Sequence, residues 1–274
     1  MDEIDEIEDL ILKLAEAHKE NPDKFIEVLE KLLEKPPVPI NQKGDLFLDI
    51  GLMTYDSSFL KLAQKSWEHA TDYFIRSNAR AGEAACYANS GVLYRSLKET
   101  DKALVYHEKS LEIMKETDDR IGEARCYTNI GNVYEDMKNY NAAIEFHEKS
   151  LEVMKYIRNR AGESKCYGNL AVIYELLSEF DKAIEFYEKS LEISKETGDL
   201  RQESIIYGNL GNLQANIGDF DKAIEFYEKS LEISKKIGDE FGEYTCYINL
   251  GDAYDGMGDS KKAEEYKEKA EKLN

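Results

Sequence analysis

The chain has 274 residues, of which 42% are hydrophobic and 34% charged, enough apolar material for a substantial core and too much for a disordered segment. Its 56 acidic against 36 basic residues leave a formal charge of −20, whose field repels nucleic-acid phosphates and anionic lipid headgroups and argues against both as partners. The start, MDEIDEIEDL, has no basic region followed by an apolar stretch, and no apolar run approaches the ~18 residues of a membrane span, so a soluble, cytoplasmic protein is expected.

Residues 2–18 and 22–35 read as two amphipathic helices separated by Asn21 and Pro22. Residues 1–35 hold twelve acids against five bases, and this hairpin is expected to cap the helices C-terminal to it or to cover another surface, Arg125 and Lys165 included. The stretch KPPVPIN, residues 35–41, holds three of the four prolines and reads as a linker; the rest of the chain carries almost no helix breaker.

Beyond it the sequence keeps a register of forty. ANSGVLY, TNIGNVY, GNLAVIY, GNLGNLQ and INLGDAY recur at that spacing, each followed by a second segment such as KAIEFYEKSLEISKETGD whose apolar residues return at three and four. Each copy is therefore a helix pair. A degenerate copy precedes them, with Phe47, Ile50 and Gly51 forty before Tyr87, Ser90 and Gly91, and Ala63 and Trp67 forty before Ala103 and His107. Stop and start signals agree. IGDFD and MGDSK place a Gly to end one helix and Asp219 or Asp259 to cap the next; Asp199 lies three before Gln202, a capping-box spacing. Glu185 with Lys189, and Glu225 with Lys229, lie four apart on faces expected to be solvated.

Tyr127, Ile130, Gly131, Tyr134 and Ala143 reproduce the pattern W-x2-L-G-x2-Y with a later Ala, and Tyr207, Leu210, Gly211, Ala223 and Tyr247, Leu250, Gly251, Tyr254, Ala263 repeat it. The chain thus resembles the tetratricopeptide-repeat family, in the forty-residue variety of kinesin light chains and Pins-type adaptors. It departs at Ala171, where Gly is expected, and at Gln214, where Tyr is. The resemblance implies an all-α, right-handed superhelical solenoid of antiparallel helix pairs with an N-terminal helical hairpin. The expected organisation is an acidic hairpin and Pro-rich linker over 1–40 and a solenoid over 41–274. The solenoid comprises a degenerate repeat 44–83 and repeats 84–123, 124–163, 164–203, 204–243 and 244–274, the last ending in a polar outer face.

At about 100° per residue, Tyr127, Ile130, Gly131 and Tyr134 fall in one sector of roughly 100°, the side that packs inside the repeat. Arg125, Asn129, Asn132 and Asp136 fall within about 60° of one another on the opposite side. The resemblance implies that the first helix of each pair lines a concave groove, so Asn89, Asn129, Asn169, Asn209 and Asn249 are expected to form a ladder there. Related domains contact bound peptide through Asn at this place. A carboxamide offers a donor and an acceptor, as a peptide backbone does. Around the fixed Asn the sector varies: Asp45, Asp49 and Asp56, then Arg125 and Lys165, then Asn212, Asn216 and Asp252. The candidate peptide-binding set is Asn89, Arg125, Asn129, Asn132, Lys165, Asn169, Asn209, Asn212, Asn216 and Asn249, with a groove acidic at its N-terminal end and basic at its centre. Arg125 and Lys165, each four before a ladder Asn, match part of the carboxylate clamp of chaperone-binding relatives; the rest is missing.

Cys86, Cys126, Cys166 and Cys246 each precede the repeat Tyr. Equivalent stacked helices are roughly 8–10 Å apart, beyond the reach of a disulfide, and no zinc spacing is present, so buried thiols in a reducing compartment are expected. His107 and His147 stand where sister copies have Tyr187, Tyr227 and Trp67 and read as packing substitutes. There is no phosphate loop, nucleophile elbow or H-E-x-x-H. The expectation is a non-enzymatic scaffold or adaptor without metal or cofactor, binding an extended peptide or helical segment of a partly basic protein partner. The alternative is a sensory module whose groove takes a small ligand or the chain's own N-terminal segment. A monomer and a homodimer through a terminal repeat are both compatible with the resemblance.

Overall fold

The computed structural model describes residues 3–34 and 38–273, with side chains from Asp9 onward except at Asn41; residues 35–37 of the Pro-rich stretch lie outside it. The described residues form fourteen α-helices and no strand. An N-terminal pair, α1 (Glu3–His18) and α2 (Pro22–Leu32), precedes α3 (Ile40–Asp56), α4 (Leu60–Ser77), α5 (Arg80–Ser96), α6 (Thr100–Glu116) and α7 (Arg120–Asp136). Next come α8 (Tyr140–Tyr156), α9 (Arg160–Leu176), α10 (Phe180–Thr197), α11 (Leu200–Asn216), α12 (Phe220–Ile237), α13 (Glu240–Gly256) and α14 (Ser260–Glu271). They make two compact units, Met1–Asn139 and Tyr140–Asn274, the division falling inside the 124–163 copy.

In the first unit α1 and α2 lie against α3 and α4. Asn21 accepts from the Lys24 amide and Pro22 opens α2, so Phe25, Ile26 and Leu29 face Phe47, Leu62 and Phe74 in one buried cluster. Burying Phe25 completely contributes roughly 1.5–3 kcal/mol. Glu30 ties the cap down, accepting from the Tyr73 hydroxyl at 2.5 Å and from Lys43 at 3.1 Å. The hairpin therefore covers the first repeat pair, while Arg125 on α7 stays exposed. The structure extends α3 back to Ile40, inside the stretch read as linker. Pro39 sits at its N-cap, where a missing N–H costs nothing, and its carbonyl accepts from Lys43 at 3.0 Å.

In the pairs that contain Gly51, Gly91 and Gly211, the first helix packs on the second through a missing side chain. A Cβ built on Gly51 would collide with Nε1 of Trp67, one on Gly91 with Cε1 of His107, and one on Gly211 would lie 2.5 Å from Cε1 of Tyr227. In the copy that departs from the pattern, Ala171 and Tyr187 share a core cluster. A second contact joins three helices. Ser190 and Ser164 exchange hydroxyl-to-carbonyl bonds at 2.6 and 2.9 Å, and Ser230 and Ser204 at 2.9 and 3.1 Å. From the next first helix, the Cys126, Cys166 and Cys246 thiols then meet Ser110, Ser150 and Ser230 at 3.3–3.4 Å. All four thiols are buried and free, and burial raises their pKa, that of Cys86 to about 12.

The turns share one geometry. A left-handed residue stands every twenty positions: Ser58, Asn78, Lys98, Asp118, Lys138, Arg158 and Ser178, then Gly198, Gly218, Gly238 and Gly258. After Lys98 the Glu99 amide returns to the Tyr94 carbonyl at 2.8 Å, a Schellman-type closure repeated at the other turns. Asp199, Asp219 and Asp259 each accept from the amide three residues on, and Glu185–Lys189 and Glu225–Lys229 pair at 2.5 and 2.6 Å, as the sequence predicts. His107 and His147 are fully buried, with no hydrogen-bond partner at either ring nitrogen.

Three outcomes are expected from this packing. Gly211→Leu should cost about 1–3 kcal/mol in urea unfolding, and Gly211→Ala less, because Ala171 is accommodated in the sister copy. Lys98→Gly relieves a left-handed side-chain residue and should raise stability by about 0.5–1 kcal/mol. Burial, with a smaller contribution from Arg95, holds His107 down at about 4, and burial alone does the same for His147. Below pH ~6.5 the unfolded chain binds a proton that the folded site refuses until about pH 4. Stability is thus present above 6.5 and lost on acidification, by about 3 kcal/mol for each ring. His107→Tyr, which installs the residue of the sister copies, should remove about half of that dependence in unfolding measured from pH 7 to 4, His147 retaining the rest.

Candidate functional site

Along α7 the residues Ala124, Cys126, Ile130, Gly131 and Val133 are buried, and Arg125 and Asp136 are exposed; Asn129 and Asn132 lie between the extremes. Asn89, Asn169, Asn209 and Asn249 are half-buried in the same way. The sequence forces this, because the small and aliphatic positions must seal the helix pair and the sector opposite is left to the polar residues.

Within each unit that sector is continuous from one first helix to the next. Successive first helices touch, α3 with α5 and α5 with α7 in one unit, α9 with α11 and α11 with α13 in the other. The bridges between them lie on this face. Arg95 on α5 grips Asp136 on α7 through Nε at 2.6 Å and a second guanidinium nitrogen at 3.1 Å. Asn216 on α11 donates to Glu175 on α9 at 2.9 Å, and Asn249 on α13 reaches Asn212 on α11 at 3.5 Å. Second helices contribute from below, Tyr187 donating to Glu175 at 3.2 Å and Tyr227 to Asn212 at 2.8 Å.

The ten residues singled out in the sequence divide accordingly. Asn89, Arg125, Asn129 and Asn132 belong to the first unit, and Lys165, Asn169, Asn209, Asn212, Asn216 and Asn249 to the second. Among the described residues, the carboxamides of Asn89, Asn129, Asn132, Asn169 and Asn209 make no hydrogen bond, and Arg125 and Lys165 make no ion pair. Asn212 and Asn216 hold partners within the chain. Asp136 is neutralised by Arg95, so the acidity of the first unit's face rests on exposed Asp45, Asp49 and Asp56 of α3. Sequence reasoning passed over Ile205, Val92 and Leu52, half-exposed aliphatics interleaved with the polar residues of this sector. Their signal was the register itself, since Ile205 falls at the Arg125 and Lys165 position and Val92 and Leu52 at that of Asn132.

A cleft of about 540 Å³ lined by Arg95, Ser96, Lys98, Thr100, Asp136 and Met137 lies at the C-terminal turns of α5 and α7, away from Asn89 and Asn129. Among the described residues no three His, Cys, Asp or Glu side chains converge as a metal set, and no helix is long and apolar enough to cross a membrane.

The tetratricopeptide repeat family matches residues 83–156, 122–196 and 202–274, more than half of the chain. The chain belongs to the tetratricopeptide-repeat family. No curated protein sequence matches it. Among solved structures, this tetratricopeptide-repeat chain is similar to a signal transduction ATPase with a tetratricopeptide repeat sensor from Pyrococcus horikoshii. The identity is 20% and the TM-score 0.70, over 93% of this chain and 40% of that one. Aspartyl phosphate phosphatase F from Bacillus subtilis is 18% identical with a TM-score of 0.67, covering 97% and 80%. A putative kinesin light chain repeat protein from Podosopora anserina is 16% identical with a TM-score of 0.56, covering 68% and 92%. At these identities the likeness is one of fold.

Proposed function

We propose that the protein is an interaction scaffold, not an enzyme, and that the Asn-bearing faces of its first helices bind an extended peptide or a helical segment of a partner protein. The observation that carries this reading is the set of half-buried carboxamides, Asn89, Asn129, Asn169 and Asn209, each without a hydrogen bond inside the chain. A carboxamide half-withdrawn from water keeps both donors and its acceptor available, and a peptide backbone supplies the complement of each. Recurrence every forty residues spaces these groups along the first-helix face of each unit, Asn89 and Asn129 on one and Asn169 and Asn209 on the other. Half-exposed Ile205, Val92 and Leu52 add apolar contact between them.

Charge narrows the partner. Exposed Asp45, Asp49 and Asp56, with the chain's net charge of −20, favour approach of a partly basic segment, an effect on association rate that weakens with salt. Arg125 in the first unit and Lys165 in the second, each exposed and without ion pairs, suit acidic or carbonyl groups of a segment bound to their own unit.

Peptides selected on the full chain from a random displayed library provide the test. Asn169→Ala with Asn209→Ala is expected to weaken them at least about tenfold, the weight of one or two hydrogen bonds, while the unfolding midpoint stays put. Equal affinity in the double variant contradicts the assignment.

A further inference from the structure

Tyr227 on α12 is only 3% exposed, yet its hydroxyl passes beneath Gly211 and emerges on the first-helix face, where it donates to Oδ1 of Asn212 at 2.8 Å. The same oxygen receives Nδ2 of Asn249 at 3.5 Å. Each carboxamide is thereby oriented. Asn212, its acceptor occupied, is left with an N–H group to offer. Asn249, with one N–H turned to Asn212, keeps its second N–H and its carbonyl oxygen, the one free acceptor of the two carboxamides.

The pair is thus asymmetric: Asn212 on α11 can only donate, and the one free acceptor belongs to Asn249 on α13. In an extended strand the N–H and C=O of one residue point to the same side. Resting on the peptide-binding reading above, we propose that Asn212 and Asn249 form a polarised clasp for one residue of a bound extended peptide. Asn212 donates to its carbonyl and Asn249 accepts its N–H, so the peptide runs N to C from α13 towards α11. Tyr227 is the positioning residue. Without its hydroxyl the Asn212 carboxamide turns over freely and either chain direction is accepted.

The sister copies show the same device tuned differently. Tyr187 donates to one oxygen of Glu175 at 3.2 Å while Asn216 donates to the other at 2.9 Å, which leaves Asn216 its carbonyl and its second N–H. In the last pair Lys267 stands at the tyrosine position and pairs with Asp255. In the first unit His107 stands there with unbonded ring nitrogens, and Val92 takes the place of Asn212, so that copy carries no clasp. Direction is read in the second unit.

The test uses the full chain and a peptide selected on it from a random displayed library, synthesised with a photo-crosslinker at its N-terminus or at its C-terminus. The N-terminal label is expected to attach to α13 and the C-terminal label to α11. In Tyr227→Phe, which keeps the ring over Gly211, affinity should fall about five- to tenfold and both labels should attach to both helices. Asn212→Asp, an acceptor of the same shape, should abolish the ordered attachment while leaving the unfolding midpoint near that of the native chain. Reversed attachment in the native protein, a peptide bound as a helix, or Tyr227→Phe with unchanged affinity and unchanged order overturns the proposal, even where Asn169 and Asn209 prove necessary for binding. Failure of every selected peptide to depend on those two residues overturns the peptide-binding reading, and the clasp with it.

Discussion

Two helices approach closely where one of them carries no side chain or only a methyl at the crossing, and this structure is organised by that constraint. Gly51, Gly91 and Gly211 leave room on the first helix of their pairs for the rings of Trp67, His107 and Tyr227. Ser110, Ser150, Ser190 and Ser230 do the corresponding service on the second helix, small enough to sit between neighbours and polar enough to bond across. Because each crossing is fixed on one side of the first helix, the residues opposite cannot be core. The aromatic pairs beside the crossings, such as Tyr174 with Phe186 at 5.2 Å between centroids, add offset stacking, and second-helix lysines such as Lys189 stand over ring faces.

The same geometry connects core to surface. A ring that fills the space over a glycine has a tip, and in the second unit that tip reaches the first-helix face, where Tyr187 and Tyr227 find Glu175 and Asn212. A substitution inside the pair therefore alters which hydrogen-bonding groups the face presents. His107 illustrates the converse. Its ring fills the space and ends short, leaving two buried nitrogens unbonded and the neighbouring face to an aliphatic, Val92. Packing residues and the polar residues of the first-helix face are here parts of one assembly.

Much of this was legible in the sequence because it depends on local spacing. The forty-residue register, the Asp219 and Asp259 caps, the glycines at 218 and 258, and the division of α7 into a sealed side and a polar side are all consequences of helical periodicity. What escaped depends on partners distant in the chain or on backbone geometry without its usual residue. The left-handed turns at Lys98, Lys138 and Arg158 carry no glycine, and only the twenty-residue beat betrays them. The serine contacts were hidden in an apolar stripe, although a Ser kept at 110, 150, 190 and 230 was visible. That Asn212 and Asn216 hold intramolecular partners while Asn169 and Asn209 do not depends on Tyr227 and Glu175, outside the sector that periodicity defines.

The central claim is that the recurrent carboxamides lie on the open first-helix face of each unit, where a partner peptide covers them. Side-chain amide resonances of Asn89, Asn129, Asn169, Asn209 and Asn249 report it directly, recorded with a soluble paramagnetic relaxation agent before and after a selected peptide is added. The account predicts strong broadening of these signals in the free protein, with the buried Gln214 amide as an unaffected internal reference, and protection of the asparagines on binding. Asparagine signals as protected as Gln214 in the free protein, or still fully broadened with peptide bound, contradict it.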